Sequence, residues 1–89
     1  MIGGKRLMIE TARTPQQIGS ALRAARRAKG MTQTELASLS GQRQELISKI
    51  ESGSPGTSIS AVCALLAALC LEFAVRPRSA GAADIEDIF

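Results

Sequence analysis

The stretch MTQTELASLSGQRQELISKIESG, residues 31–53, limits the fold more than any other part of this chain. Thr32-Gln-Thr-Glu35 is a capping box, in which the threonine side chain and the glutamate three residues on satisfy each other's backbone donors. Leu36, Ala37 and Leu39 carry a short helix onward, and Gly41 interrupts it. Helix resumes from about Gln42, with Ile47 and Ile50 three apart on an inward face, and stops at Gly53. Helices this short gain their stability from packing rather than propensity. The glycine corner sets their crossing angle, and Leu36, Ala37, Ile47 and Ile50 are expected to hold them together. Gln42-Arg-Gln-Glu45 opens the second helix with four side chains rich in hydrogen-bond donors and acceptors.

The flanks supply two more helices. Thr14 can cap, Pro15 suits a first helical position, and Gln17 can close a capping box. Ile18, Leu22 and Ala25 then share one face, Arg23, Arg27 and Lys29 lie mostly elsewhere as a solvated face, and Gly30 is a left-handed cap. Residues 52–58, SGSPGTS, are a loop by composition. Ser58 caps a fourth helix running from Ile59 to about Cys70, with Ile59, Val62, Cys63, Leu66, Leu69 and Cys70 as its core stripe. No charge occurs between Glu51 and Glu72. A helix apolar nearly all round is buried on more than one side, and the second side is expected to be another subunit. Cys63 and Cys70 are expected as buried thiols, about 10 Å apart along one helix and beyond disulfide reach. Leu71, Phe73 and Val75 alternate on one face of a predicted strand that Pro77 ends. Apart from residues 6–10, RLMIE, the chain offers that strand no mate, so pairing across a two-fold axis is expected, with Leu66, Leu69, Leu71, Phe73 and Val75 at the dimer contact.

Eighty-nine residues make one small domain, and a chain of this size buries only about 60% of its unfolded surface. Self-association is the expected supplement, because there is no histidine and the cysteines have no ligand-like partners for a metal. Eleven basic residues face eight acidic ones, but the charge is uneven. Residues 1–78 hold all 11 bases and 5 acids, net +6, whereas residues 79–89 hold Asp84, Glu86 and Asp87 and no base. A basic body suits an anionic partner. The layout divides into a flexible arm over 1–13, a binding and dimerisation domain over 14–78, and an acidic tail over 79–89. An enzyme is not expected. The chain has no His and no Tyr, no base beside either Cys, and no P-loop Lys after its GSPG loop. No apolar run reaches membrane-spanning length and residues 1–13 lack a signal peptide's apolar core, so a cytoplasmic protein without membrane, cofactor or small-molecule substrate is expected.

Gln33, Leu36-Ala37, Gly41, Ile47-Ser48, Glu51 and Gly53 stand at the spacing of a helix-turn-helix, and residues 15–70 closely resemble the Cro/cI-type (XRE family) repressors. The resemblance implies a mostly α, compact four- to five-helix domain like that of lambda repressor, with one C-terminal strand pairing across a homodimer. It implies that Gln33 touches a phosphate and braces the recognition helix. Thr32, Ser52 and Ser54 would add phosphate contacts. Arg43, Gln44 and Ser48, with Glu45 and Lys49, would occupy the side that reads bases. That chemistry is sound, since Gln pairs with adenine, Arg with guanine, and Glu accepts from cytosine. Glu45 stays open between a base contact and a solvated surface, and Leu46 between a thymine methyl and the core. Arg26 and Glu51 resemble the buried ion pair that ties the first and third helices in this family. Gln42 stands where the family usually has Val or Ile.

The order of TPQQIGSALRAARRAKGMTQTELA, the apolar fourth helix, LEFAVRP and a short tail ending in an aromatic looks like the HipB-type antitoxins. That likeness implies a dimeric repressor that binds palindromic double-stranded operator DNA and neutralises a HipA-type serine/threonine kinase toxin. The alternative is a stand-alone Cro/cI-type regulator without a toxin.

Overall fold

The computed structural model describes residues 11–78, which fold into four helices: α1 (Pro15–Ala28), α2 (Gln33–Ser40), α3 (Gln44–Glu51) and α4 (Ile59–Ala68). The fold is that of a compact helix-turn-helix domain, within the expected four to five helices. Residues 6–10 and the acidic tail over 79–89 lie outside the described residues.

Side-chain caps start three of the helices. Thr14 Oγ1 accepts from the Gln17 N–H at 3.1 Å, and Ser58 Oγ accepts from the Ala61 N–H at 3.0 Å. At α2 the capping box is complete, with Glu35 N–H donating to Thr32 Oγ1 at 3.0 Å and Thr32 N–H donating to Glu35 Oε1 at 2.8 Å. The Gln17 side-chain Oε1 accepts from the Arg13 N–H, one residue before the expected partner.

Gly41 makes the corner between α2 and α3 with φ +76°, a left-handed conformation that a side chain disfavours. Its N–H closes α2 on the Ala37 carbonyl at 2.9 Å. Arg43 is extended at ψ 146°, so α3 starts at Gln44, two residues later than the sequence suggested. Gln42, half-buried, fills the turn, and its N–H reaches Ser40 Oγ at 3.3 Å.

Leu22, Leu36, Ile47, Ile50, Ala61, Val62, Leu65 and Leu69 form the core, with Ile18, Ala25, Ala37 and Leu46 packed against it. All four residues expected to join α2 to α3 are therefore in or against it. Leu46 fills the core's edge. α1 packs on α3, while α2 packs on both α3 and α4. Gly19 brings α1 unusually close to α3, because a Cβ there would stand 2.2 Å from the Ile50 carbonyl oxygen.

The fourth helix corrects two expectations. Its buried stripe is Ala61, Val62, Leu65 and Leu69, whereas Ile59 is 74% exposed and Cys63 and Cys70 are both exposed in the protomer. Apart from Ser60 in its first turn, α4 is apolar on every side, so the sequence carries little polar marking to fix its rotation. Leu69 belongs to the protomer's own core at 1% exposure and is unavailable for the dimer contact expected of it. Leu66 is half-buried, and Leu71, Phe73 and Val75 are exposed. Cys70 takes φ +61° just past the helix, and the Leu71 N–H turns back to the Leu66 carbonyl at 2.7 Å. Among the described residues there is no strand. A strand is defined by its ladder of backbone bonds, and the described part of one chain offers residues 71–76 no second strand.

Candidate nucleic-acid interface

The rotation of α3 divides its residues into two sets. Ile47, Ile50 and Glu51 are buried, while Gln44, Glu45, Ser48 and Lys49 are exposed with the preceding Arg43. The exposed set is the edge expected to face bases, and the structure brings all five residues together on it. No side chain caps α3, at the end where a helix favours anions.

Behind this edge lies a buried ion pair. Arg26 Nε donates to Glu51 Oε2 at 2.7 Å and Arg26 Nη2 to Glu51 Oε1 at 2.9 Å, with the two residues 7% and 5% exposed. Arg26 Nη1 donates to the Met31 carbonyl at 2.8 Å. One bidentate fork therefore joins α1, the α1–α2 turn and the end of α3. Burial pushes the Glu51 carboxyl up, but hydrogen bonds from Arg26 and Gln33 and the charges of Arg26 and Arg23 overcome it, holding the group below the ordinary glutamate range. The hydrogen bond to Glu51 raises Arg26 further, against its own desolvation.

Gln33 connects the pair to the exposed edge. Its Nε2 donates to Glu51 Oε1 at 3.1 Å, and its Oε1 accepts from Gln44 Nε2 at 3.4 Å. Gln33 is half-buried between them. Thr32 is exposed at the same end of α2, its oxygen accepting from the Glu35 N–H.

The loop after α3 is less suited to phosphate than the sequence implied. The Ser52 N–H bonds the Ser48 carbonyl and its hydroxyl donates to the Lys49 carbonyl at 2.9 Å. Ser54 is half-buried and its N–H is also on the Lys49 carbonyl. The carbonyl end of a helix favours cations, so these two serines sit at the wrong pole for an anion. Sequence reasoning missed Gly19 and the Met31 carbonyl. A glycine inside an amphipathic pattern signals close packing, but nothing in the sequence names its neighbour. Among the described residues, no group of three His, Cys, Asp or Glu side chains could hold a metal ion. No described helix is long and apolar enough to cross a membrane.

Two short helices at a glycine corner, the second showing a polar edge over a buried ion pair, define a DNA-binding helix-turn-helix domain of the XRE type. The family model described as "Helix-turn-helix domain" matches residues 17–78, and the chain belongs to that family. It is similar to HipB in a HipB–O4 20mer complex, at 27% identity and a TM-score of 0.75, covering 80% of this chain and 100% of that one. A chain in a HipA–HipB–O2–O3 complex gives 27% identity and 0.74 over the same shares. The restriction-modification controller protein C.AhdI from Aeromonas hydrophila is 34% identical with a TM-score of 0.61, covering 65% of this chain and 88% of that one. Among curated protein sequences, none matches.

Proposed function

We propose that this protein is a repressor that binds palindromic operator DNA as a dimer and acts as the antitoxin of a HipA-type kinase toxin. The observation that carries the DNA reading is the exposed edge of α3, with Arg43, Gln44, Glu45, Ser48 and Lys49 turned out over a rigid buried pair. In the complex each recognition helix enters a major groove, with Gln44 on adenine, Arg43 on guanine, and Gln33 and Thr32 on phosphate. Two such helices in a dimer meet successive grooves about 34 Å apart. Binding an operator and a toxin requires no bond chemistry, and the role is that of a regulator rather than an enzyme.

The dimer is supported by the unpartnered apolar side of the protomer. Ile59 and Cys63 are exposed on α4 with Leu66 half-buried, and Cys70, Leu71, Phe73 and Val75 follow the helix exposed. Pairing of residues 71–76 with their two-fold mate would satisfy the strand's backbone groups as well. The toxin partner is supported by the likeness to HipB, which spans all of the HipB chain.

The greater identity to a restriction-modification controller favours a second reading, a regulator with no toxin. Coexpression with the product of the adjacent gene separates the two. Under the antitoxin reading a kinase copurifies with this chain and is inactive in the complex. A neighbour that neither copurifies nor phosphorylates leaves the regulator alone. Gel shifts on the protein's own upstream DNA test both, and the absence of a preferred inverted repeat would end both.

A further inference from the structure

The side chains of Arg26, Glu51, Gln33 and Gln44 form a hydrogen-bonded series that can run in one direction only. A carboxylate accepts and cannot donate, so Glu51 takes N–H groups from Arg26 and from Gln33 Nε2. The Gln33 amide must therefore turn its NH2 group inward, which leaves its Oε1 facing the start of α3. An amide oxygen also only accepts, and Gln44 meets it with Nε2 at 3.4 Å.

We infer that Glu51, although buried and away from the exposed edge, is a positioning residue for base recognition, fixing through Gln33 which way round the Gln44 amide stands. One hydrogen of the Gln44 NH2 is held by Gln33, so the other N–H and the carbonyl remain. Together they offer one donor and one acceptor in a set order. Adenine presents the complementary acceptor and donor in the major groove, whereas guanine presents two acceptors. A flipped Gln44 amide would set oxygen against oxygen at Gln33. The ion pair thus does more than tie α1 to α3; it gives polarity to the reading side chain. This inference rests on the assignment of Gln44 to base contact.

The test measures base discrimination, which a purely structural ion pair would not alter. The full chain first selects its site from duplexes with a randomised half-site, and the position whose preference disappears in Gln44→Ala is identified. The Kd ratio between preferred and substituted duplexes at that position is then compared among variants that remain folded by circular dichroism. Glu51→Gln can face Gln33 with either oxygen or nitrogen, so the ratio is expected to fall about tenfold at that position and to hold elsewhere. Arg26→Lys keeps an ionised acceptor at Glu51, and the ratio is expected to survive despite lower stability. Gln33→Met leaves the ion pair intact and cuts only the link. It should lose the same ratio as Glu51→Gln, on top of a uniform weakening. Wild-type discrimination in folded Glu51→Gln, or purely uniform weakening in Gln33→Met, overturns the inference alone. A wild-type protein with no preference that depends on Gln44 overturns the base-contact assignment and this inference with it.

Discussion

Gly19 lies so close to the last turn of α3 that any Cβ on it would overlap the carbonyl oxygen of Ile50, at 2.2 Å. The obstruction is backbone, which cannot rotate aside as a flexible side chain can. Replacing glycine by alanine inside a helix normally stabilises by up to about 1 kcal/mol. Gly19→Ala is expected to reverse that sign, with a net loss of about 1–3 kcal/mol as α3 is forced off α1. Urea unfolding checks it: the midpoint should fall, and a rise would mean that the two helices are farther apart than described.

The Arg26–Glu51 pair makes stability depend on acid in a defined window. The folded Glu51 carboxyl lies below the ordinary glutamate value of about 4.3, so its contribution is fully present above that value. It is lost as pH falls through the depressed folded value and the carboxylate protonates. Denaturation followed from pH 7 down to pH 2 should show this acid limb in the wild type and a shallower one in Glu51→Gln. Truncating either partner should cost about 3–5 kcal/mol near neutrality, because the other is left buried and unpaired. Equal acid limbs in the two proteins would contradict the assignment.

Most helix boundaries were legible because capping is local chemistry. Thr14, Thr32 and Ser58 each hold the N–H three residues on, and the Gly41 corner follows from one residue's conformational freedom. The start of α3 was misjudged because Gln42 and Arg43 are ordinary helix formers, displaced by the geometry of the turn rather than by their own preference. The rotation of α4 was not legible, since one serine, Ser60 in the first turn, among Ala, Leu, Ile, Val and Cys on every side leaves the period almost without phase. That single ambiguity assigned Leu69 to the wrong surface and hid the exposure of Cys63 and Cys70. At the candidate interface the expected residues came from the resemblance to the Cro/cI-type repressors. The spent hydroxyl of Ser52 and the spent backbone N–H of Ser54 required coordinates, because nothing in a serine's identity says whether those hydrogens are already committed.

Leu69 and Phe73 should separate folding from assembly. Leu69 is 1% exposed and Phe73 is 52% exposed at the edge of an apolar groove of about 220 Å³ beside Pro15, Ile18 and Val62. Leu69→Ala is expected to lower protomer stability by about 2–5 kcal/mol. Phe73→Glu should instead shift dimer to monomer in sedimentation velocity while retaining most helicity. A Phe73→Glu dimer of wild-type strength would remove residues 71–76 from the interface.

Lys49 and Gln44 share the exposed edge but should differ in kind. Gln44→Ala is expected to relax preference at one base pair per half-site by about 1–3 kcal/mol. Lys49→Ala, if its ammonium meets phosphate, should weaken all duplexes alike and reduce the salt slope by about one unit per site. Competition binding against single-substitution duplexes distinguishes a local loss from a uniform one.

The most direct test of the account is a fluorescence anisotropy titration of the full chain on an inverted-repeat duplex from its own upstream DNA. The same duplex with scrambled half-sites is the control, and both are run at several salt concentrations. Presentation of two α3 edges by a dimer predicts binding at least about a thousandfold tighter to the repeat, with affinity for both duplexes falling steeply as salt rises. Equal affinity for repeat and scramble, or affinity indifferent to salt, would contradict it.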